Sequence, residues 1–446
     1  MDNIIESLFD LNSIVYLYEN MTKKKEVDDF YTSLSSNICT GFGKIGEIKI
    51  FFLVQNNRIC GGTIGEKQAD QICKVLELAI KEDSPFLFFC CGGGAKIEEG
   101  VRSLDGYSRI FRLQSIHKKL QIAIVDDVCA GGAAYNAALA DIVIFNKDKA
   151  RMFLTGSNII KKELGFCVTD EELGGWKIHG KESGVAHFGY STTDDCISVM
   201  KKIFYVIYNK KVFSKVKNKK NNLKFVPQNK RKPYDAKRII LQIVDENSFL
   251  EFYEEYAENL IIGLARINGI SVGIICNQPN TLCGCMDAKA TKKCDYWVRF
   301  CSKFKIPIIT FVDTPGFIPG VGEEEKGILN LGANLINAYV QCQQLKITVI
   351  MRKAYGGAYI ALNSIGLGAN YVFAWENSEI APMGLNGAKD ILQKKIMNNV
   401  KLDEEYYTNM INERKAASYG MITSIIKPDE TRNVIIALLG SKNILK

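Results

Sequence analysis

One glycine-punctuated pattern occurs twice in this chain, once in each half, and that duplication restricts the fold more than any other feature. The first copy runs CTGFGKIGEIKIFFLVQNNRICGGTIGE from Cys39, then FLFFCCGGGAKIEEG, then QIAIVDDVCAGGAAY. The second runs IIGLARINGISVGIICNQPNTLCGCMD from Ile261, then PIITFVDTPGFIPG, then KITVIMRKAYGGAYIAL. Gly41 matches Gly263 at an offset of 222 residues, and Gly131 matches Gly356 at 225. So steady an offset predicts two similar domains. Each copy carries two glycine turns after apolar strands, and such turns leave bare backbone N–H groups where an oxyanion can sit.

The same grammar extends to the elements between the turns. After Gly65, EKQADQICKVLELAIK puts Ala69, Ile72, Cys73, Leu76 and Ile80 on one helical face, and Pro85 then opens the strand FLFFC. Its counterpart KATKKCDYWVRFCSKFK carries the stripe Cys294, Trp297, Val298 and Cys301, and Pro307 opens IITFV. Tyr107 to Leu120 and Asn330 to Leu345 read as helices joining the first glycine turn of each copy to the next strand. Strand, turn, helix, strand, turn is the order of an α/β chain with crossover-connected parallel strands.

At 446 residues the chain exceeds what one core usually serves, so two domains of about 200 residues each are expected. A hydrophobic share of 47% with 24% charged residues fits a soluble globular protein. No apolar run is long enough to span a bilayer, and MDNIIESLFDLN carries acids where a signal peptide has a basic start, so a cytoplasmic protein without a membrane segment is expected. The 14 cysteines are scattered, several in strand-like runs (Cys90, Cys91, Cys129, Cys276), and form no C-x-x-C pair; no metal site is expected. The net charge of +8 is concentrated between Asn209 and Pro233, where Lys210, Lys211, Lys215, Lys217, Lys219, Lys220, Lys224, Lys230, Arg231 and Lys232 occur without one acid. This reads as a solvated basic linker between the copies, or a contact for an acidic or phosphate-rich partner. With only Phe213 and Phe225 interleaved, nucleic acid is not expected.

A single glycine turn can exist only to satisfy the backbone; four of them, at strand ends in equivalent places, point to chemistry. At a helix start such donors also feel the positive end of the dipole, so two copies give two oxyanion sites. A general base is harder to find. None of His117, His179 and His187 lies in a glycine turn, His187 in SGVAHFGY reads as a structural histidine, and the neighbours Glu98-Glu99 and Asp126-Asp127 read as solvated or ion-paired acids. No G-x-S-x-G elbow, phosphate loop or dinucleotide fingerprint is present. A reaction that needs no base from the protein fits best.

At these residues the chain resembles the carboxyltransferase family of biotin-dependent acyl-CoA carboxylases and decarboxylases. The motifs VDTPGFIPGVG, GILNLGANLINAY, ITVIMRKAYGGAY, EIAPMGLNGA and GMITSIIKPDETR follow the family's order in the C-terminal half. GGTIGE, GGGAKIEEGVRSLDGYSRIF, CAGGAAY, MFLTGSNII, EELGG and SGVAHF do so in the N-terminal half, and the resemblance covers about residues 38 to 438. It implies two tandem crotonase-type (ClpP-like) β-β-α spiral domains. They are placed at 38–208 and 234–446, with a short segment 1–37 before them and the basic linker 209–233 between. It also implies a homodimer or trimer of dimers, whose site lies between the N-terminal half of one subunit and the C-terminal half of its neighbour.

The implied reaction moves a carboxyl group between carboxybiotin and the α-carbon of a short acyl-CoA such as acetyl- or propionyl-CoA. The freed ureido nitrogen of biotin takes the α-proton. Carried over by motif, Gly93, Gly94, Gly131, Gly132 and Ala133 form the hole for the acyl-CoA thioester, with Ala95 and Lys96 also on the CoA side and Ile360 lining the acyl pocket. Gly316, Gly356, Gly357 and Ala358 form the hole for the biotin urea oxygen, with Thr314, Pro315 and Phe317 beside it. Biotin is expected on a separate carrier protein, charged by a biotin carboxylase subunit, because no Met-Lys-Met segment or ATP-grasp region is present.

Three departures from the family pattern stand out. The family's Asp-Ser-Gly-Gly-Ala-Arg is Cys91-Gly92-Gly93-Gly94-Ala95-Lys96 here, its Arg-His is Asn330-Leu331, and the stretch before Ile38 lacks an arginine-rich helix. Lysine for arginine keeps the charge but loses the bidentate fork, which bears on the CoA phosphates. A decarboxylase or transcarboxylase subunit running the same site in reverse, and a non-catalytic assembly subunit, are the alternative readings.

Overall fold

Runs rich in Ile, Val and Phe form the inner strands of two sheets, one in each of the units into which the chain divides, Met1–Tyr208 and Asn209–Lys446. The structure is a computed structural model, and it describes residues 2–18, 37–208, 223, 225–385, 387–389 and 404–441.

The first unit contains strands β1 (Val15–Tyr16), β2 (Ile38–Ile45), β3 (Ile48–Gln55), β4 (Phe86–Gly92), β5 (Gln121–Ala130), β6 (Ile142–Asn146), β7 (Arg151–Phe153) and β8 (Phe188–Tyr190). Its helices are α1 (Asp2–Leu8), α2 (Glu66–Lys81), α3 (Val101–Ile116), α4 (Gly132–Ala138), α5 (Ser157–Leu164), α6 (Asp170–Gly174) and α7 (Thr193–Tyr208). The sheet runs β1-β2-β3-β4-β5-β6-β8, with β7 added to β5. β1, β2 and β3 pair antiparallel, and the other pairs are parallel.

The second unit repeats this plan strand for strand. β9 (Leu250–Phe252), β10 (Leu260–Ile267), β11 (Ile270–Asn277), β12 (Ile308–Thr314), β13 (Lys346–Tyr355), β14 (Tyr371–Trp375) and β16 (Ser424–Ile426) lie side by side, and β15 (Glu379–Ala381) joins β13. Its helices include α8 (Lys237–Ile243), α9 (Ala288–Lys303), α10 (Val321–Glu325), α11 (Ile328–Gln341) and α12 (Gly356–Ala361). The matched glycines Gly41 and Gly263 have one cause: a methyl group at either would run into the edge strand, at the carbonyl of Val15 or of Leu250.

Helix α2 buries Ala69, Ile72, Cys73 and Leu76 as its spacing predicts, adding Val75 and Ala79, while Ile80 is only half-buried. In α9 the stripe Cys294, Trp297, Val298 and Cys301 is fully buried. The expected Tyr107–Leu120 and Asn330–Leu345 helices are displaced toward the N-terminus, to Val101–Ile116 and Ile328–Gln341. Left-handed glycines set their starts, Gly100 at φ 54° and Gly327 at φ 75°. At the far ends, Leu120 and Leu345 serve the sheets, their carbonyls accepting from Phe86 N and Ile308 N.

Within 1–37, α1 packs on α7 and β1 pairs with β2, so both belong to the first unit. Most of the basic run, 209–222 and Lys224, lies outside the described residues. Its last part is held by Arg352, whose Nη1 donates to the carbonyls of Pro227, Asn229 and Lys232. Among the described residues no helix is long and apolar enough to cross a membrane, and no His/Cys/Asp/Glu group could hold a metal ion. The cysteines are free thiols.

Candidate active site

Each sheet carries the same irregularity where its two glycine turns begin. Between β4 and β5 the register jumps from Cys90↔Val125 to Gly92↔Cys129, and between β12 and β13 from Val312↔Ile350 to Thr314↔Ala354. Extra residues on the longer strand bend it and re-aim its end. In the first unit this brings the two turns together: a Cβ on Gly94 would stand 3.0 Å from Ala130 O and 3.2 Å from Gly132 N. The turns require glycine, with φ of +92° at Gly94, +56° at Gly131, +132° at Gly316 and +59° at Gly356.

Immediately after the second turn a short helix starts, α4 in one unit and α12 in the other. The first N–H groups of a helix have no acceptor inside it. Among the described residues, no acceptor faces the amides of Gly132 and Ala133, or those of Gly357 and Ala358. Three of the other glycines expected as donors use their amides structurally. Gly93 N donates to Gly61 O at 2.9 Å, Gly131 N to Phe153 O at 3.0 Å, and Gly316 N to Thr314 Oγ1 at 3.2 Å. Each donor set therefore loses these members and keeps two adjacent helix-start amides, beside a left-handed glycine.

The surroundings of the two pairs differ. Against α4 lies the ring of Tyr107, only 2.8 Å from where a Gly132 Cβ would be. The matching position of α11 is Gly332, and there the ring comes instead from Phe317, 3.8 Å from a Cβ on Gly332 and 3.7 Å from one on Gly357. Phe317 matches Ala95: Ile64 N donates to Gly94 O and Lys96 N to Ile64 O, as Met286 N does to Gly316 O and Ile318 N to Met286 O. One unit thus takes its aromatic ring from the buried helix and leaves alanine in the loop. The other takes it from the loop, so a half-buried aromatic face stands beside its donors.

Around the second pair, Thr314 is buried and Pro315 half-buried. Ile360 lies one helical turn beyond Gly357 and is half exposed. On the first pair's side, Lys96 Nζ meets Glu99 Oε1 at 3.0 Å, and Glu99 Oε2 accepts from Glu66 N at the start of α2. That backbone hydrogen bond is the main cause that holds the Glu99 carboxyl below its ordinary range. Asp126 accepts from Asn146 and Tyr190, and Asp127 from Asn57, as structural acids do.

Beside α4 opens a cavity of about 420 Å³, lined by Ala134, Ala138, Met152, Leu154 and Val185 with Tyr135 at its edge. His179 borders it from a π-helical turn, its Nε2 2.6 Å from Met152 O and Nδ1 3.1 Å from Ser183 Oγ. Sequence reasoning missed this cavity, whose walls come from α4, β7, α5, α6 and the π-helical turn, elements separated in the chain. It also missed Asp313 and Arg352, although a lone acid after IITFV and a base directly after ITVIM signal buried charges that must pair. Arg352 Nε donates to Asp313 Oδ2 at 2.7 Å. Burial pushes the Asp313 carboxyl up, and the guanidinium opposes that shift.

His187 is a structural histidine, its Nδ1 accepting from Val143 N at 2.9 Å, and burial pushes its pKa down to about 3. Below the ordinary value of 6.5 the unfolded chain binds a proton that the folded chain refuses until about pH 3. Its contribution is complete above pH 6.5 and falls as pH drops through that window, by about 1.4 kcal/mol per pH unit. In thermal melts from pH 7 to 5, His187→Asn is expected to lose less stability than the parent; equal losses would assign the acid sensitivity elsewhere.

Each of the two sheets ends in a pair of helix-start amides, the kind of donor that receives an anionic oxygen in oxyanion-hole enzymes. The carboxyl transferase domain model matches residues 3–442, and the chain belongs to that family, the biotin-dependent carboxyltransferases and transcarboxylases. It is 37% identical over 460 residues to the methylmalonyl-CoA decarboxylase subunit alpha of Veillonella parvula, covering 98% of this chain and 89% of that one. To the propionyl-CoA carboxylase carboxyltransferase subunit of Haloferax mediterranei it is 37% identical over 419 residues, covering 90% and 81%. The crystal structure of the transcarboxylase 12S hexamer, with methylmalonyl-coenzyme A and methylmalonic acid bound, superposes with a TM-score of 0.90 at 37% identity, over 99% of this chain and 88% of that one. The fold is the crotonase-like carboxyltransferase fold.

Proposed function

We propose that the chain transfers a carboxyl group between carboxybiotin on a separate carrier protein and the α-carbon of a short acyl-CoA, acetyl- or propionyl-CoA. The observation that carries this reading is the pair of matched, outward-facing amide pairs, Gly132/Ala133 and Gly357/Ala358. In the first unit, Gly132 and Ala133 donate to the thioester oxygen as negative charge builds on it, with Gly94 closing the turn behind them. The apolar cavity beside α4 takes the acyl group or the arm that carries it. Lys96 serves the CoA phosphates as a point charge, already braced by Glu99.

In the second unit the donor set fits a urea: two N–H groups suit its oxygen, and Phe317 offers a flat face to its ring. When bound there, carboxybiotin supplies the carboxyl unit and a ureido nitrogen able to take the α-proton, in keeping with the lack of a candidate base among the histidines. Gly357 and Ala358 hold the urea oxygen, Thr314, Pro315 and Gly316 shape the loop that carries Phe317, and removing one such donor typically costs about 3 kcal/mol of transition-state stabilisation.

The site is complete in an oligomer, a dimer or trimer of dimers, that sets the first unit of one subunit against the second unit of another. There Ile360 would reach the acyl pocket. The transcarboxylase relative assembles as a hexamer, and exposed apolar side chains around the cavity (Tyr135, Leu139, Leu154, Ile159) supply a surface for such assembly. The Veillonella relative, named a decarboxylase, favours a second reading in which the same site runs in reverse. A biotin carboxylase subunit and a biotin carrier are the partners this activity needs. The test gives the purified protein free biotin with malonyl-CoA or methylmalonyl-CoA and follows loss of the carboxylate. Loss that depends on biotin is expected, and no loss with any acyl-CoA would overturn the reading.

A further inference from the structure

Beyond the basic run the chain enters the second unit as a strap, residues 227–234, bonded to the feet of both donor turns. Asp313 stands three residues before Gly316, and Arg352 four residues before Gly356. Their side chains pair in the interior, 0% and 6% exposed. Tyr234 of the strap donates its hydroxyl to the same Asp313 oxygen at 2.9 Å and lays its ring 4.4 Å from the guanidinium. Arg352 Nη1 reaches back to the strap, donating to Lys232 O at 2.9 Å, Asn229 O at 3.2 Å and Pro227 O at 3.4 Å. A second tie runs outside the first. Lys230 Nζ pairs with Glu379 Oε1 at 2.6 Å, and Tyr355, the residue before Gly356, donates its hydroxyl to Glu379 Oε2.

The first unit shows that the fold does not need these ties. It builds the same sheet, the same register jump and the same helix start with Cys91 and Asp127 at the positions of Asp313 and Arg352. Asp127 there bonds to Asn57 and to its own neighbour Val128 N, and its link to Cys91 runs through Asn57, whose backbone hydrogen-bonds that thiol, with no ion pair between the two strands. An ion pair present in only one of two equivalent frameworks serves something only that copy does.

We propose that Arg352 and Asp313 are positioning residues for the second donor pair: through them the strap fixes the Thr314–Phe317 loop against the Gly356–Ala358 turn. This rests on the assignment of that turn to biotin. Removing one partner alone strands a buried charge and can unfold the unit, whereas replacing both by apolar residues is often tolerated. The informative variant is therefore the double Arg352→Met/Asp313→Leu, with Lys230→Met, which cuts only the outer tie, as a milder companion.

Amide hydrogen exchange is read over residues 314–318 and 355–359 in the full-length protein, alongside kinetics with free biotin and malonyl-CoA. In the double variant, exchange in both segments is expected to quicken at least tenfold, the KM for biotin to rise and kcat to fall, with the KM for acyl-CoA unchanged. Lys230→Met is expected to quicken only 355–359, and less. Wild-type exchange and biotin KM in a folded double variant would overturn the proposal. Should the double variant not fold, unchanged exchange over 355–359 in Lys230→Met would overturn it. Exchange does not depend on turnover: quickened exchange in a protein whose parent transfers no carboxyl group supports the strap and rejects the biotin assignment.

Discussion

Gly357→Pro is expected to slow carboxyl transfer about a hundredfold while acyl-CoA still binds, because it deletes one of the N–H groups proposed as oxyanion donors. Proline is tolerated in the first turn of a helix, where its fixed φ is already helical and the missing N–H has no intrahelical acceptor. The positive φ at the start of α12 is taken by its first residue, Gly356, so the substitution asks for no forbidden φ at position 357. New atoms meet Phe317 at about van der Waals distance, a Cβ lying 3.7 Å from its ring. The matching change in the first unit would not be clean, since any side chain at Gly132 is driven into Tyr107. Turnover with free biotin and malonyl-CoA, with acyl-CoA binding by calorimetry, checks the expectation. More than about a tenth of parental activity in the folded variant would remove Gly357 from the donor set.

Mixing Gly357→Pro with Ala133→Pro, each slowed about a hundredfold alone, is expected to restore up to about a quarter of parental activity once subunits exchange. Ala133 is the cleaner first-unit target because its Cβ is already accommodated. The reacting atoms must approach within about 3.5 Å. If each site joins the first unit of one subunit to the second unit of another, every mixed dimer holds one site with both donor pairs intact and one with neither. Half of the dimers are mixed under random exchange, which gives the figure. Exchange is followed with tagged subunits. Proven exchange without recovery would mean that the two pairs of one chain work together.

The sequence announced the architecture through local features. Helices α2 and α9 were legible because a 16-residue amphipathic run between a glycine and a proline leaves little choice of register. The start of α3 was missed because Gly100 acts by adopting φ 54°, and a glycine letter does not say which hand it takes. The glycine turns were found as clusters, yet which of their amides stay free could not be read. That depends on Gly61 and Phe153, distant in the chain, and on a hydroxyl of Thr314 that satisfies Gly316 in advance. The ion pair of Asp313 and Arg352 was hidden for a similar reason: the two lie 39 residues apart, at the ends of separate apolar runs, until the sheet sets them side by side.

The exchange of aromatic rings between the two copies has a consequence for their history. Gly332→Tyr alone would drive a ring into Phe317, and Phe317→Ala alone would leave a hole over Gly332 and Gly357 that no other side chain fills. Going back to the first unit's arrangement needs both changes at once, and the reverse holds for Tyr107 and Ala95. Each copy sits behind a barrier that single substitutions cross only through a less well packed protein. Descendants of the duplication are thereby ratcheted apart: neither half drifts back into a duplicate of the other, and grafting one half's turn onto the other requires moving the ring and its vacancy together.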